Sequence, residues 1–348
     1  MSGTELHTRT LSIETRPLAG DRLYVHAELR DVRHVDLPAY MGIEHPKGVV
    51  HHMALDVELD AGLVIRRIDA RMATAPFEPS DKTRGEGCRH ILPAYGRLVG
   101  VKVDAAYPLR VLEAVGGRQG CFHILSLAQC LPAAVRAATR RLCAGALRMP
   151  AGAREEVLDS CSQWRRESPL WQRAAESEGT GFADFRRRVR VTASTDEGFR
   201  LAMSGVLRDE AEGAPPAGAE LRLVLELPKF SIVSARARLD PAPFPGCEAA
   251  LEGIGDLHRL SINKGFTALA LEKIGGGAGC AHVTALLVAI TPVTAQAAGA
   301  LAGFLGLRPE DRPREGRANP QVDSCHMWRA DGPLLALGRV PSGRTTAK

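Results

Sequence analysis

Alternating apolar and polar residues mark six segments, three in each half of the chain. They are residues 22–29, 53–59, 64–72, 200–207, 221–227 and 231–239. Each segment is rich in β-branched and apolar side chains, and the partial period of two is typical of antiparallel strands that turn one face to a core. The pattern therefore predicts two groups of three strands, one group in each half.

Helical patterns follow the strands. Residues 108–115 carry Pro108 in the first turn and Gly116 directly after the last, which predicts a short helix. From Gly120 to about residue 147, an Ala- and Leu-rich stretch predicts a longer helix that is interrupted at Pro132. Strands that are followed by helices within one unit predict the α+β fold class.

The chain also repeats its motifs, which indicates a tandem duplication. Gly-Cys-Phe-His at 120–123 returns as Gly-Cys-Ala-His at 279–282, and Asp-Ser-Cys at 159–161 returns at 323–325. We expect two copies of one small antiparallel-sheet-plus-helices unit, packed about a pseudo-twofold axis as an internal pseudo-dimer. The predicted organisation is a first unit at 9–173, a linker at 174–186, a second unit at 187–339 and a flexible tail at 340–348.

Composition narrows the class of protein. With 45% hydrophobic and 24% charged residues the chain is typical of soluble globular proteins, and it has no run of about 18 apolar residues. Residues 1–16 are polar, so we expect a cytoplasmic protein with no membrane partner. The net charge of +5 comes with only 5% aromatic residues, which argues against nucleic-acid binding. Eight Cys in such a chain do not indicate a disulfide framework.

Each Gly-rich loop places a cysteine directly before a predicted helix. Backbone N–H groups at a helix N-terminus attract anions and lower the pKa of a thiol, so Cys121 and Cys280 are expected to be partly thiolate. The same geometry makes the loop glycines candidates for binding a cofactor. These glycines are Gly117, Gly120, Gly276 and Gly279. A structural explanation is equally open, because a glycine pair between two helices is common scaffolding.

Three Cys and one His of the first copy are retained in the second. In the first copy they are Cys88, Cys121, His123 and Cys161. A Cys₃His set is a sensible shell for zinc or iron, which predicts a metal site in one or both copies. The metal candidates of the second copy are Cys280, His282, Cys325 and His326. The alternative is that the thiols are buried and unligated.

Each copy lacks a different histidine. His51 precedes a strand of the first copy, where the alignment places Ala219 in the second copy. Conversely, His326 follows the second Asp-Ser-Cys motif, where the first copy has Ser162. The two copies are therefore expected to complement each other across their interface. In such a site the thiolates and His123 hold a metal, and His51 moves a proton or completes the shell.

These motifs resemble those of a bacterial family called domain of unknown function 2889. Its pattern is His-Asp-Met before a strand, a Cys, Leu-Val-Gly, Gly-Cys-Thr-His-Leu and Asp-Ser-Cys-His. The chain has His-His-Met at 51–53, Cys88, Leu-Val-Gly at 98–100 and both repeated motifs. The resemblance covers both copies, although the first lacks the last His and the second lacks the His-Asp-Met element. It implies no activity. A further similarity, to iron–sulfur scaffolds in which a small sheet presents Cys at helix starts, is an analogy.

The residues favour a metal- or thiolate-based Cys/His site that acts on or binds a small organic or anionic molecule. His51, Cys121 and His123 are its candidate catalytic residues, and a zinc or iron ion is the candidate cofactor. The alternative is a non-catalytic, pseudo-symmetric binding or scaffold module with buried Cys, so enzymatic activity is left open. Thiol redox chemistry is least favoured, because the chain has no Cys-x-x-Cys motif.

Overall fold

The computed structural model describes residues 3–40, 43–143, 146–150, 153–177, 181–196, 200–263, 265–306 and 322–339. The strands in this part of the chain are β1 Glu5–Leu18, β2 Arg22–Arg33, β3 Leu37–Tyr40, β4 Ile43–His45, β5 Gly48–Leu59, β6 Ile65–Thr74, β7 Arg141–Cys143, β8 Ala146–Pro150, β9 Ala175–Ser177, β10 Phe185–Thr195, β11 Arg200–Ala211, β12 Ala217–Glu226 and β13 Ser231–Leu239. The α-helices are α1 Tyr107–Val115, α2 Phe122–Ala138, α3 Ala153–Val157, α4 Pro169–Arg173, α5 Phe266–Ile274, α6 Ala281–Phe304 and α7 Pro333–Arg339.

Eight strands form one continuous antiparallel sheet in the order β13-β12-β11-β10-β1-β2-β5-β6. The predicted combination of antiparallel strands and helices is thereby confirmed. Six of the eight strands correspond to the predicted segments, whereas β1 and β10 were not predicted. These two strands pair with each other at the centre of the sheet, from Thr10 opposite Arg190 to Thr15 opposite Phe185. The two halves of the chain therefore share a single sheet.

Helices α2 and α6 cover one face of this sheet. Along β2 and β5 the side chains alternate between buried and partly exposed positions, so one face carries the core. Helix α2 contacts β1, β2 and β5, and α6 contacts β1, β10 and β11. Helix α6 belongs to the second half of the sequence but also packs on the first strand of the first half. The core is therefore continuous between the halves.

The helix predictions were partly right. Helix α1 ends as predicted, with Gly116 as its C-cap. The prediction for the second helix was wrong in two respects, because α2 continues through Pro132 and ends at Ala138. Proline removes one backbone hydrogen bond from a helix. Pro132 is itself buried, and tertiary packing of that kind stabilises a helix more than local propensity does.

Helix α6 is long and apolar enough to cross a membrane, judged by its 24 residues and mean hydropathy of 1.7. In the structure it contacts four strands of the sheet, and Leu286, Leu287 and Ile290 are fully buried. The core helix of a soluble protein passes the same test of length and composition. The packing of α6 is therefore that of a core helix.

The Asp-Ser-Cys segment of each half packs against the Gly-rich loop of the other half. The backbone N–H of Ser162 donates to the carbonyl oxygen of Gly279 at 2.9 Å, and the N–H of His326 donates to that of Gly120, also at 2.9 Å. Contacts between the halves are thus made by the motifs that the duplication retained. In the predicted linker, residues 175–177 form β9, while the predicted tail at 340–348 lies outside the described residues.

Candidate functional site

A buried ion pair between β1 and β2 organises the first half. Arg9 and Asp31 are directly opposite each other in the strand register. The guanidinium of Arg9 donates from Nε to Asp31 Oδ1 and from Nη2 to Asp31 Oδ2, both at 2.7 Å. Asp31 is 0% exposed. Two parallel N–H···O bonds hold the carboxylate in one orientation.

Three histidines surround this carboxylate. His51 lies opposite Asp31 on β5, with Nδ1 2.9 Å from Asp31 Oδ2. His123, the second residue of α2, has Nε2 3.6 Å from the same oxygen, and its ring stacks on that of His51 with centroids 3.7 Å apart. His7 Nε2 lies 3.3 Å from Asp31 Oδ1. Gln296 of α6 places its amide Nε2 3.0 Å from His123 Nε2.

The surroundings set the charge of these groups. Burial raises the pKa of Asp31, but the charge and hydrogen bonds of Arg9 outweigh burial and hold the pKa well below its usual range. Burial lowers the pKa of His51 against the opposing effect of Asp31. Burial, together with His51 and Arg9, holds the pKa of His123 well below its usual value. The site therefore contains an ionised carboxylate between two neutral imidazoles, which are the protonation states that metal ligands need.

Asp31, His51 and His123 can hold a metal ion. One ligand atom from each lies within 4.8 Å of the others, and no further group of three or more such ligands occurs in the described parts of the chain. Two metal–ligand bonds of about 2.1 Å at a tetrahedral angle separate their ligand atoms by roughly 3.4 Å. The distances of 2.9 and 3.6 Å from Asp31 Oδ2 lie on either side of that value.

One buried polar atom beside the group, Gln296 Oε1, has no hydrogen-bond partner among the described residues. A buried polar atom without a partner is costly, and such an atom indicates an unseen water or ion. The donor set and this oxygen fit an ion with bound water.

The second half keeps the ion pair and one histidine but lacks the other histidines. Arg187 donates to Asp209 at 2.7 and 2.6 Å, and His282 Nε2 lies 3.3 Å from Asp209 Oδ2. Ala217 lies opposite Asp209 where His51 lies opposite Asp31. The alignment of His51 with Ala219 was therefore wrong by two residues. Phe185 occupies the strand position that corresponds to His7. The second half therefore has equivalents of two of the three ligands, Asp209 for Asp31 and His282 for His123, but none of His51.

The predicted Cys₃His shell of Cys88, Cys121, His123 and Cys161 is not assembled. No cysteine belongs to a group of metal-ligand atoms within the described residues. The reason is the exchange of segments between the halves, since Ser162, beside Cys161, bonds to the loop of Cys280, and His326, beside Cys325, bonds to the loop of Cys121. His326 itself lies 3.3 Å from Glu86, which also receives two hydrogen bonds from Arg329.

The thiols differ between the two halves. Burial raises the pKa of Cys121 to about 11, so the expectation of a thiolate there was wrong. Its Sγ contacts Met53 Sδ at 3.9 Å. Burial likewise raises the pKa of Cys161 to about 11 and that of Cys88 to about 12. At Cys280 burial is outweighed by His282 and by backbone N–H groups, and the pKa is lowered as expected.

The four loop glycines have steric reasons to be retained. Gly117 and Gly276 have φ of +53° and +59°, a left-handed conformation that favours glycine. A Cβ at Gly120 would lie 1.8 Å from the carbonyl oxygen of Val115, and one at Gly279 would lie 1.8 Å from that of Ile274. These contacts explain the repeated glycines without a bound cofactor.

Arg9 and Asp31, and their counterparts Arg187 and Asp209, were not predicted as site residues. A signal was present, because each Arg precedes its Asp by 22 residues in both copies. The signal was missed because strands β1 and β10 were not predicted. Without these two strands, nothing in the sequence indicates that Arg9 and Arg187 each face a carboxylate.

A separate recess lies on the uncovered face of the sheet. It has a volume of about 760 Å³ and is lined in part by Tyr24, His26 and Asp56. Asp56 accepts hydrogen bonds from Tyr24 and from His26, the latter at 2.8 Å. These residues alternate with the inward-facing positions of β2 and β5, so the sheet separates the recess from Asp31.

One family model matches the chain, described as protein of unknown function (DUF2889). It covers residues 7–136 and 185–296, which span the eight strands of the large sheet, helices α1 and α5, and most of α2 and α6. No curated protein and no solved structure matches.

Proposed function

Because the chain belongs to the DUF2889 family of proteins of unknown function, we propose its function from the site alone: Asp31, His51 and His123 form a zinc or iron centre that acts on or binds a small organic or anionic molecule. The family match covers most of the chain and carries no activity. The proposal keeps the metal that the sequence favoured and replaces its thiolate ligands by a carboxylate.

The observation that carries the proposal is the convergence of three ligands on one buried point. Two imidazoles and one carboxylate come from β5, α2 and β2, and their ligand atoms lie within 4.8 Å of one another. Two His and one carboxylate are the ligand set of many iron and zinc sites that keep open positions. Such positions admit water or a substrate.

The other residues prepare this centre. Arg9 holds both oxygens of Asp31, and each oxygen keeps a lone pair for a further partner. Bonds of this kind fix the geometry of a ligating carboxylate. Gln296 Nε2 lies 3.0 Å from His123 Nε2, the nitrogen that faces Asp31, so this contact gives way when that nitrogen binds the ion. When bound, the ion supplies a Lewis acid and an acidified water. The side chain of His123 is 15% exposed, so a small molecule approaches from the α2 side.

Metal content with a matched pair of variants tests the proposal. His51→Ala removes one ligand and installs the residue that the second half has at this position. His52→Ala is the control, because His52 faces away from Asp31 and pairs with Glu28. Protein purified without chelator and analysed by mass spectrometry of the elements is expected to hold about one metal per chain in the wild type and the control. His51→Ala is expected to lose at least about tenfold in affinity. Equal metal content in the two variants contradicts the proposal.

A scaffold or binding module without metal is the second candidate. It is supported by the second half, where Arg187, Asp209 and His282 form a similar network without an equivalent of His51. In that case His51 donates a hydrogen bond from Nδ1–H to Asp31 and takes no part in chemistry. This candidate predicts that zinc and iron leave the melting temperature unchanged, whereas the metal centre predicts that it rises with metal concentration.

We further propose that a pseudo-twofold axis relates the two halves, near the pair of Leu11 and Val189. Exchanging equivalent positions of the copies converts the pair of Thr10 and Arg190 into that of Ser12 and Arg188, as a twofold axis requires.

Residence in the cytoplasm is part of the same proposal, supported by the core-helix packing of α6.

A further inference from the structure

A cysteine, a histidine and an aspartate form a chain in the second half, apart from the proposed metal centre. Cys280 Sγ lies 3.8 Å from His282 Nδ1, and His282 Nε2 lies 3.3 Å from Asp209 Oδ2. Asp209 is fixed by two hydrogen bonds from Arg187, at 2.7 and 2.6 Å. A thiol beside an imidazole that a carboxylate orients is the arrangement of an activated nucleophile.

The same positions in the first half are arranged differently. Cys121 Sγ contacts the thioether of Met53, and His123 is stacked on His51. Duplication thus produced two sites from one set of motifs. In the first half the thiol contacts a thioether and the imidazole belongs to a histidine pair, whereas in the second half the thiol contacts the imidazole.

We propose that Cys280 is a nucleophilic thiol that His282 activates and Asp209 orients, and that it reacts with small electrophiles whose carbon bears a leaving group. This site is independent of the proposed metal centre and shares no residue with it. An experiment can therefore contradict the nucleophilic role of Cys280 without contradicting the metal centre, and the reverse.

The reaction is a displacement at carbon. The proton of Cys280 Sγ passes to His282 Nδ1, and the imidazolium donates its Nε2–H to Asp209, which stays ionised. The thiolate attacks the electrophilic carbon, the S–C bond forms, and the bond to the leaving group breaks with both electrons on the leaving group. His282 then gives its proton to the leaving group or to water.

The electrostatics agree with this geometry. Burial lowers the pKa of His282, but Asp209 and Cys280 outweigh burial and raise it to about 9. Burial raises the pKa of Asp209, but the charge and hydrogen bonds of Arg187 outweigh burial and lower this pKa to about 2. Near neutral pH the imidazolium between a carboxylate and a sulfur is therefore the stable form. A thiolate is favoured beside such a cation.

Cys280 and His282 are only slightly exposed to solvent. Cys280 is 7% exposed and the side chain of His282 is 22% exposed. Cys280 is also the N-cap of α6, so its sulfur lies at the first turn of that helix. Small reagents reach such a position, whereas a large substrate does not.

Alkylation of the native wild-type protein tests the proposal. Iodoacetamide is added for short times between pH 6 and 9, and the alkylated cysteines are counted by peptide mass spectrometry. Cys121 is the internal control, because it has the equivalent position and similar burial. At pH 6.5 Cys280 is expected to react at least about tenfold faster than Cys121. An equal or lower rate at Cys280 overturns the proposal.

A variant separates activation from exposure. Asp209→Asn removes the charge that orients His282, so alkylation of Cys280 is expected to slow at pH 6.5 and to recover at pH 9. Asp240→Asn, at a carboxylate that is 55% exposed, is the control and is expected to leave the rate unchanged. If Asp209→Asn folds and its rate profile matches that of the wild type, the proposed role of Asp209 and His282 is overturned. If it does not fold, the wild-type comparison with Cys121 decides.

Discussion

Arg9 is a charged residue in the core, and its contribution to the stability of the fold depends on Asp31. Both side chains are buried, with 3% and 0% exposure. Removing one partner of a buried pair leaves an uncompensated charge. We predict that Arg9→Met lowers the free energy of unfolding by about 3–5 kcal/mol in urea titrations with chelator present.

The matched control is an arginine that forms the same bidentate contact at the surface. Arg238 donates to Glu220 at 2.8 and 2.7 Å, but its side chain is 61% exposed. Exposed pairs contribute little because water solvates each partner. Arg238→Met is expected to leave the unfolding midpoint nearly unchanged. A loss in Arg9→Met no larger than in this control contradicts the buried-pair account.

At the scale of single residues, the sequence predicted two histidines of the site but not the carboxylate that both of them approach. His51 and His123 were predicted as site residues, and the structure brings them together. Asp31 was not predicted, because a carboxylate in a strand is ordinarily a solvated position and nothing local marks it as buried. Cys161 was predicted to join Cys121 and His123, but its segment packs against the loop of Cys280 in the other half. Spacing along one copy does not indicate which of the two loops the segment contacts.

At the scale of elements the Gly-rich loops determine how α1 and α2, and α5 and α6, are joined. We predict that Gly120→Ala and Gly279→Ala each destabilise the protein by about 2–3 kcal/mol, since the new Cβ would clash with the carbonyl oxygen of Val115 or Ile274. Thermal unfolding measures the loss. Gly96→Ala is the control, because nothing lies within 4 Å of its Cβ position. Equal melting temperatures in all three variants would show that the loops can relax.

Strands with apolar alternation were predictable, and the two central strands were not. In β1 the inward positions include His7, Arg9 and Thr15, so a buried face is occupied by polar residues. In β10 the run Arg186-Arg187-Arg188 has the composition of a solvated surface, although Arg187 points to Asp209. Hydrophobic periodicity fails where a buried ion pair replaces apolar side chains. These failures coincide with the candidate sites.

At the scale of the molecule the halves depend on each other. β1 pairs with β10, α6 covers β1, and each Asp-Ser-Cys segment bonds to the other half. We predict that residues 1–177 alone do not give a stable monomer, because β1 would become an open edge and the core would lose α6. Size-exclusion chromatography with light scattering is expected to find dimers through β1 or aggregates. A folded monomer of this fragment contradicts the shared-core account.

The duplication was evident from the sequence, whereas the exchange of segments was not. Two copies of a motif predict two equivalent places but leave open whether each motif meets its own loop or the other one. That choice is made by the packing of long segments on a common sheet. The expected sharing of one site by His51 and His326 is not found among the described residues, because the His326 side chain lies beside Glu86. The halves meet instead through Gln296 at His123 and through the backbone N–H of His326 at Gly120.

X-ray absorption at the metal edge of the zinc-loaded protein tests the central claim most directly. Zinc–nitrogen and zinc–oxygen bonds measure about 2.0–2.2 Å, and zinc–sulfur bonds about 2.3 Å. Coordination by Asp31, His51 and His123 predicts a shell of nitrogen and oxygen near 2.1 Å, imidazole scattering from two histidines and no sulfur. A sulfur shell at 2.3 Å, or a protein that retains no zinc, contradicts the claim.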